Sequence, residues 1–220
     1  MIRIRQLNFQ YPDGNYQLVI PSLDIESGER VAVIGPSGSG KTTLLKLMAG
    51  ILHPDRGYIS VEGIPLDELS EGQRRNFRIT RIGFIFQALE LLEYLNVEDN
   101  ILHCFRINPS LRLGHETRAR AFELAVRMGL GEKYHRLPGC LSQGERQRVA
   151  LCRALLPGPS LILADEATGN LDPSGKQLVV DALIEACESS GCSLVAVTHD
   201  HEILSRFDRV IDFDALRAVK

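Results

Sequence analysis

The first thirty residues alternate between apolar and polar positions. Polar residues separate Ile2, Ile4, Leu7 and Phe9, and a turn at residues 12–14 leads into a second alternating run. Alternation over several residues is typical of a strand with one buried face, and a Pro-Asp-Gly sequence favours a turn. The pattern therefore predicts that an antiparallel β region begins the chain.

Short apolar segments and helical patterns alternate along the rest of the chain. The predicted strands are 30–34, 59–61, 82–86, 161–164 and 194–197, and the predicted helices include 42–49, 117–128, 145–155 and 175–187. Near-continuous apolar strands separated by helices predict a parallel sheet that is covered on both faces. The stretch from about Asn96 to Leu137 has helical periodicity, which predicts a helical lobe between sheet strands. The predicted fold class is α/β, with a mainly parallel sheet, an N-terminal antiparallel β region and an inserted helical subdomain at roughly 88–150 of one domain spanning 1–220.

Length and composition exclude several classes of protein. The 220 residues suit one domain, and a formal net charge of -3 leaves no overall basic field to hold a nucleic-acid backbone. No run of roughly eighteen apolar residues is present, and the first residues lack the apolar core of a signal peptide. The five cysteines form no C-x-x-C pair, and we assign them no site. We therefore expect a cytoplasmic protein without a nucleic-acid partner.

The segment GPSGSGKT at residues 35–42 matches the phosphate-loop pattern G-x-x-x-x-G-K-S/T. It follows an apolar strand and opens a helix, so its backbone N–H groups and the positive end of the helix dipole can meet phosphate oxygens. Lys41 is expected to reach the β- and γ-phosphates and Thr42 to ligate Mg²⁺. The predicted nucleotide-binding residues of this segment are Gly35, Pro36, Ser37, Gly38, Ser39, Gly40, Lys41, Thr42 and Thr43.

A second part of the site is predicted at LILADE, residues 161–166, where an apolar strand ends in two acids. A strand end brings its carboxylates to the edge of the sheet, so Asp165 is expected to hold Mg²⁺ and Glu166 to face an attacking water. Acids at a buried strand end are costly unless they are used. The alternative is that the two acids only open the turn that follows.

The segment LSQGERQ, residues 141–147, opens a helix with the capping box of Ser142 and Glu145. Together with the phosphate loop and the acid-tipped strand, it resembles the ATPase subunits of ABC transporters. In that family the segment is the signature motif, usually LSGGQ, whose serine and glycine bind the γ-phosphate of ATP held by the opposite subunit. Gln143 and Glu145 depart from the family motif here. Ser142 and Gly144 are intact, so the resemblance implies that they contact nucleotide across a dimer interface.

The resemblance extends to further motifs in the same order along the chain. Gln87, in GFIFQ, matches the glutamine that touches Mg²⁺ and the attacking water, and His199, in VAVTHD, matches the switch histidine at the γ-phosphate. Tyr11 matches the aromatic residue that stacks on adenine. The run Asn170-Leu171-Asp172 looks like the loop that crosses the dimer interface, which makes Asp172 a candidate binding residue. The resemblance therefore implies four catalytic residues: Lys41, Gln87, Glu166 and His199.

The family implies an activity and two partners. It hydrolyses ATP with Mg²⁺ in a nucleotide-sandwich dimer and drives a separate integral-membrane permease from the cytoplasmic face of the inner membrane. The complete catalytic set favours a homodimer. The apolar stretch ALELLEYL, residues 88–95, lies where the family receives its permease, although core packing is the competing interpretation.

Three features resemble the lipoprotein-releasing, macrolide-export and FtsE-type branch of the family. They are the segment LSEGQRRNFRITRIGFIFQ, the run DEATGNLD with Ala167 in place of the usual proline, and the short C-terminus. Permeases of this branch have few transmembrane helices and a large extracytoplasmic domain, and several transmit force instead of passing substrate through a channel. The resemblance therefore implies an export or mechanotransmission type of partner.

Other functions use the same motifs. A regulatory ATPase that acts on a cell-envelope or division complex without transport would carry the same residues. ATPases of this type that act on DNA or the ribosome carry long coiled-coil insertions, zinc-binding cysteines or a second ATPase, and none of these is present here. A small-molecule kinase would leave LSQGE and His199 unexplained.

Overall fold

The computed structural model describes residues 1–14, 16–169 and 171–217. In chain order its strands are β1 (Ile2–Gln10), β2 (Gln17–Ile25), β3 (Arg30–Ile34), β4 (Arg56–Val61), β5 (Ile64–Pro65), β6 (Ile82–Ile85), β7 (Leu161–Asp165), β8 (Ser193–Val197) and β9 (Arg209–Asp212). Its α-helices are α1 (Lys41–Met48), α2 (Glu71–Arg81), α3 (Val97–Ile101), α4 (His103–Ile107), α5 (His115–Arg127), α6 (Gln143–Leu155), α7 (Pro173–Ser190) and α8 (Phe213–Leu216). Within these ranges no helix is long and apolar enough to cross a membrane.

The N-terminal strands form an antiparallel sheet, as their alternation predicts. The strand order is β2-β1-β4-β5, and β1 pairs with β2 so that Ile2 lies opposite Ile25. The β1–β4 pairing contains a bulge, where Gln6 adopts a φ of 47°. A Cβ at Gly57 on β4 would lie 2.4 Å from the Gln6 carbonyl oxygen, so only glycine fits opposite this bulge.

The second sheet is parallel and lies in the order β6-β7-β8-β3-β9. Strands β7 and β8 are buried along their whole length, as their near-continuous apolar sequences predict. Strands β6, β7 and β8 are neighbours in this sheet. Their carboxyl ends are followed by Gln87, Glu166 and His199, respectively. The phosphate loop follows β3, next to β8. One edge of the sheet therefore carries most of the predicted site.

Helices α3, α5 and α6 pack together beside the parallel sheet and share an apolar core with α7. Asn100 on α3 is fully buried, and its amide is satisfied by the backbone of the preceding loop. It accepts from the Leu92 N–H and donates to the carbonyl oxygens of Leu92, Leu95 and Asn96. The buried amide thereby fixes the chain that leads from β6 into the helical part.

Helix α2 and strand β9 are among the elements that the hydrophobic pattern does not predict. Helix α2 begins at the capping box of Ser70 and Gln73, and Phe77 is its only buried residue, so it has no apolar stripe for the pattern to detect. Strand β9 lies at the edge of the parallel sheet and is largely exposed, so it lacks the apolar run of its neighbours. The strand predicted at 59–61 also begins earlier, at Arg56, because its first three residues are exposed.

The stretch at residues 88–95 is partly core. Leu89 is buried, and Leu91 packs against the apolar core of the helical part. Tyr94, by contrast, is 76% exposed. Core packing therefore accounts for part of this segment and leaves one aromatic side chain on the surface.

Candidate functional site

The phosphate loop joins β3 to α1 through three glycines in conformations that other residues rarely adopt. Gly35, Gly38 and Gly40 have φ values of 149°, 75° and 107°. Gly40 is the N-cap of α1 and supplies no side-chain cap, so the first N–H groups of the helix keep no side-chain partner from that position. Open N–H groups at a helix N-terminus are a site for anions.

Lys41 and Ser39 have polar atoms directed into this loop. The Lys41 Nζ atom donates to the carbonyl oxygens of Gly35, at 2.8 Å, and of Pro36, at 2.7 Å. Burial lowers the pKa of Lys41, and the negative charges of Glu166 and Asp165 oppose that shift. The Ser39 hydroxyl is buried and has no hydrogen-bond partner among the described residues. A buried hydroxyl without a partner is costly, and a phosphate oxygen would satisfy it.

Asp165, the last residue of β7, is 3% exposed. Its burial raises the pKa of the carboxyl group, and a hydrogen bond from the Thr42 side chain opposes this. A carboxylate beside a hydroxyl suits Mg²⁺, which typically takes one or two protein oxygens and completes its shell with phosphates and water. No group of three or more His, Cys, Asp or Glu side chains in the described ranges could hold a metal by itself. The pair therefore fits a nucleotide-bound Mg²⁺ better than an ion held by protein alone.

Glu166 lies between two of the other predicted catalytic residues. Its Oε2 atom accepts a hydrogen bond from Gln87 Nε2 at 2.9 Å, and its Oε1 atom lies 3.2 Å from His199 Nε2. Glu166 itself has a φ of 51°, a left-handed conformation that is uncommon outside glycine. Strained backbone of this kind costs about 1–3 kcal/mol and is concentrated at functional sites. The structure thus brings together three residues that are far apart in the sequence.

A cavity of about 360 Å³ lies between the phosphate loop and Glu166. Its walls include Tyr11, Ser37, Gly38, Thr42 and Thr43 as well as Gln87. The Tyr11 hydroxyl lies 3.2 Å from the Thr43 hydroxyl, and its ring packs edge-on against Phe9. Most residues predicted to bind nucleotide therefore meet at one cavity.

Sequence reasoning missed Tyr16, which lines the same cavity. Its hydroxyl donates to the Ser39 carbonyl oxygen at 2.5 Å, so it contacts the phosphate loop directly. The local sequence gives no signal for it, because Tyr16 reaches the loop only after β1 and β2 have paired.

Glu166 also lines a second cavity of about 400 Å³, with His199 on its wall. Lys176 and Asp200 form an ion pair there with a separation of 2.7 Å. Lys176 lies outside the predicted motifs, whereas Asp200 is the last residue of VAVTHD. Glu166 therefore lines both the phosphate-loop cavity and this second cavity.

Ser142 and Gly144 do not line either cavity. Ser142 is the N-cap of α6, and the capping box is confirmed: its hydroxyl accepts from the Glu145 N–H, and the Glu145 carboxylate accepts from the Ser142 N–H. A hydrogen bond from Lys133 and the bond from Ser142 lower the pKa of Glu145. A Cβ at Gly144 would lie 3.1 Å from the Leu171 side chain. The motif at α6 thus packs beside residue 171, away from the phosphate loop of the same chain.

Asp172 is the N-cap of α7, and its carboxylate accepts a hydrogen bond from the Ser174 hydroxyl. This bond lowers the pKa of Asp172. Asn170, the first residue of the same predicted loop, lies outside the described residues. Asp172 does not line the cavity at the phosphate loop.

Comparisons with known proteins agree with this geometry. A family model described as ABC transporter matches residues 19–169. The lipoprotein-releasing system ATP-binding protein LolD of Hydrogenovibrio crunogenus is 40% identical over 212 residues, which cover 95% of this chain and 91% of that protein. The macrolide export ATP-binding/permease protein MacB of Rhodopirellula baltica is 38% identical over 214 residues, which cover 96% of this chain and 31% of that protein.

A solved structure is also similar along nearly the whole chain. It is the dimeric structure of an ATP-binding cassette in a post-hydrolysis state, bound to ADP and Pi. The TM-score is 0.88 and the sequence identity 30%, over 96% of this chain and 94% of that one. The predicted fold class and the predicted resemblance to the lipoprotein-releasing and macrolide-export branch are confirmed by these matches. The chain belongs to the ABC transporter family, as an ATP-binding subunit with ATPase activity.

Proposed function

We propose that this chain hydrolyses ATP in a nucleotide-sandwich dimer and thereby drives a separate membrane permease of the export or mechanotransmission type. The observation that carries the proposal is the arrangement around Glu166, whose two carboxylate oxygens contact Gln87 and His199 at the edge of the cavity beside the phosphate loop. This arrangement suits a reaction that depends on placing one water molecule against one phosphate.

The phosphate loop and Tyr11 bind the nucleotide. In this proposal Tyr11 stacks on adenine and the loop residues 35–43 surround the phosphates; Tyr11 and most of the loop line the same cavity. Lys41 exchanges its two carbonyl partners for the β- and γ-phosphates. The partnerless Ser39 hydroxyl gains a phosphate oxygen. Each of these changes satisfies a polar group that is now buried or held only by backbone.

Thr42, Asp165 and Gln87 would hold Mg²⁺ together with the nucleotide. A bound Mg²⁺ would supply charge neutralisation at the phosphates. The Thr42 side chain already interacts with the Asp165 carboxylate and opposes the rise in its pKa.

Glu166 orients the attacking water and accepts its proton during in-line attack on the γ-phosphorus. Gln87 bonds to one carboxylate oxygen, and the other, which contacts His199, has a second lone pair for the water. His199 lies next to that second oxygen and stabilises charge on the departing γ-phosphate. Fixed donors and charges at a site that excludes water supply most of the rate acceleration in such reactions.

A second copy of the chain completes the site. Three residues predicted to bind nucleotide do not line the phosphate-loop cavity of their own chain: Ser142, Gly144 and Asp172. In the proposed dimer they contact the nucleotide that is bound by the opposing subunit. The similar solved cassettes are dimers. We therefore propose a homodimer with two ATP molecules between the subunits, which closes on ATP and opens after hydrolysis.

The membrane partner is proposed from the relatives. They are named as ATP-binding proteins of a lipoprotein-releasing system and as a macrolide export ATP-binding/permease protein. We propose a permease with few transmembrane helices and an extracytoplasmic domain, with the ATPase on the cytoplasmic face of the inner membrane. Tyr94, exposed in the segment after Gln87, is a candidate contact.

Purification of a trapped complex tests this proposal. Tagged Glu166→Gln protein is purified from detergent-solubilised host membranes in ATP and Mg²⁺, and co-purifying proteins are identified by mass spectrometry. A permease in stoichiometric amount is the expected result, and the matched control is the Glu166→Gln, Lys41→Ala double variant, which lacks the phosphate-binding lysine. Recovery of soluble or division proteins without a permease would replace the transport role with a regulatory one. Light scattering that shows only monomer in ATP and Mg²⁺ would contradict the sandwich dimer.

A further inference from the structure

The loop that follows Gln87 contains two consecutive residues in left-handed backbone conformation. Leu89 has a φ of 59° and Glu90 a φ of 48°. For residues with a Cβ this conformation costs roughly 1–2 kcal/mol each relative to the right-handed one. Two such residues in succession persist only where neighbouring groups hold them.

Arg153 on helix α6 holds both of them. Its Nη1 atom donates to the Glu90 carbonyl oxygen at 2.5 Å, and its Nη2 atom donates to the Leu89 carbonyl oxygen at 2.6 Å. The planar guanidinium offers two donors in a fixed geometry, and here the two bond to successive carbonyl groups. Charge-assisted bonds of this length are among the stronger hydrogen bonds in proteins. No other side chain in the described ranges donates to either carbonyl.

The clamp lies close to Gln87 along the chain. Ile85 is the last residue of the buried strand β6, and Leu89 is anchored by its buried side chain and by Arg153. Gln87 is exposed and lies between these two fixed points. Its amide nitrogen has Glu166 Oε2 as its partner, so the conformation of this short segment decides whether that bond forms.

We propose that Arg153 is a positioning residue for ATP hydrolysis: it holds the left-handed turn at Leu89 and Glu90 and thereby places the Gln87 amide against Glu166. This inference rests on the catalytic role proposed for Gln87. Without the clamp, Leu89 and Glu90 relax towards ordinary backbone conformations and Gln87 leaves the Glu166 carboxylate. The nucleotide contacts made by the phosphate loop do not involve Arg153 and stay intact.

The variant Arg153→Met tests the proposal in the full-length protein, because methionine keeps the apolar stem and removes both donors. We expect kcat to fall by at least roughly tenfold, since small displacements of positioned groups have effects of this size. The dissociation constant for ATP stays within about twofold of the wild-type value, because the phosphate loop is untouched. Hydrogen exchange becomes faster in the peptide that covers residues 86–95.

Arg120→Met is the matched control. Arg120 on α5 donates to the Leu156 carbonyl oxygen at the end of the same helix α6, at 3.2 Å, and does not contact the loop. The Arg120→Met variant therefore loses a similar bond between an arginine and a carbonyl group, while Leu89 and Glu90 keep their bonds to Arg153. We expect an unchanged kcat and unchanged exchange at residues 86–95. Equal loss of kcat in both variants would assign Arg153 a merely structural role.

A rescue experiment separates positioning from general packing. Glycine adopts the left-handed conformation at little cost. Adding Glu90→Gly to Arg153→Met is therefore expected to restore kcat several-fold, whereas adding Glu90→Ala removes the same carboxylate without easing the backbone and restores nothing. Equal effects of the two additions would overturn the proposal. Arg153→Lys, which keeps the charge but offers a single donor group, should give an intermediate kcat and provides a second variant if Arg153→Met does not fold.

Gln87→Ala distinguishes this inference from the proposed role of Gln87. If Gln87→Ala lowers kcat and Arg153→Met lowers it no further in the double variant, the two residues act together as proposed. If Gln87→Ala lowers kcat while Arg153→Met alone leaves it unchanged, Arg153 has no positioning role and the role of Gln87 stands. If Gln87→Ala leaves kcat unchanged, the proposed role of Gln87 fails and the inference about Arg153 falls with it.

Discussion

His199 Nε2 lies 3.2 Å from Glu166 Oε1, on the carboxylate oxygen that Gln87 does not use. The carboxylate is therefore held from two sides before nucleotide binds. His199 is 46% exposed at its side chain and borders the second cavity. The contact places a histidine from the end of β8 against the Glu166 carboxylate, as the catalytic roles proposed for both residues require.

Substitution of His199 by alanine should reduce hydrolysis more than binding. Loss of one charge-stabilising donor at a reaction site typically lowers kcat by about 10²–10³-fold. Steady-state ATPase assays and titration with a fluorescent ATP analogue measure the two effects. His201→Ala is the control, because His201 borders the same cavity without a contact to Glu166. A loss of binding as large as the loss of kcat would contradict this role for His199.

Ser142 combines an N-cap with the proposed contact to a second nucleotide, and two substitutions separate these roles. Both Ser142→Asp and Ser142→Asn keep a residue that caps helices well, so we expect unfolding free energies within about 1 kcal/mol of wild type. Only the aspartate places a negative charge where a phosphate should bind. Ser142→Asp should therefore abolish the ATP-dependent dimer of Glu166→Gln protein, as measured by light scattering, while Ser142→Asn keeps part of it. Full dimerisation of the aspartate variant would exclude a trans phosphate contact at Ser142.

Asp165→Asn should stabilise the fold and abolish activity. Burial raises the pKa of Asp165, so its ionised form weakens folding, and the wild type loses this part of its stability as pH rises through the raised pKa. The asparagine variant should unfold at a higher temperature at pH 7, and the difference should shrink as pH falls towards 4. Its Mg²⁺-dependent kcat should drop by at least about 100-fold.

Asp200→Asn is the contrast for this measurement. A hydrogen bond from Lys176 lowers the pKa of Asp200, so the ionised form supports folding and that support is lost as pH falls through the lowered pKa. The Asp200 variant should therefore be less stable than wild type at pH 7. Thermal unfolding at a series of pH values measures the stability difference between each variant and the wild type. A difference of the same sign for both variants at pH 7 would contradict this assignment.

Gly83 on β6 packs directly against the backbone of α6. A Cβ there would lie 2.6 Å from the Ala154 carbonyl oxygen, which is a backbone atom and cannot move aside. Gly83→Ala should therefore cost about 1–3 kcal/mol of unfolding free energy, the usual range for overpacking. Gly72→Ala in α2, where a Cβ meets nothing within 4 Å, should be neutral or stabilising by about 0.5 kcal/mol. Urea denaturation of both variants checks the comparison.

Local sequence determined the parts of the site that depend on neighbouring residues. The loop at residues 35–40 uses positive φ values that glycine adopts readily. The serine and glutamate at 142 and 145 cap a helix. Both features follow from a few adjacent residues. The buried strand that ends in Asp165 follows from its apolar run. Helix α2 was not predictable in this way, because its single buried residue, Phe77, leaves no periodic stripe.

Tertiary structure decided which of these parts meet. Gln87 and Glu166 are 79 residues apart, and they touch because β6 and β7 are neighbours in the sheet, an order that no hydrophobic pattern encodes. In the sequence, Arg153 is one more charged position on an amphipathic helix. Its two bonds to Leu89 and Glu90 form only after α6 has packed against β6. Hydrogen bonds between distant segments depend on ångström-scale packing, whereas turns and caps depend on backbone preferences within a few residues. The sequence by itself therefore determined the chemistry available to this protein, and the packed sheet decided which side chains act together.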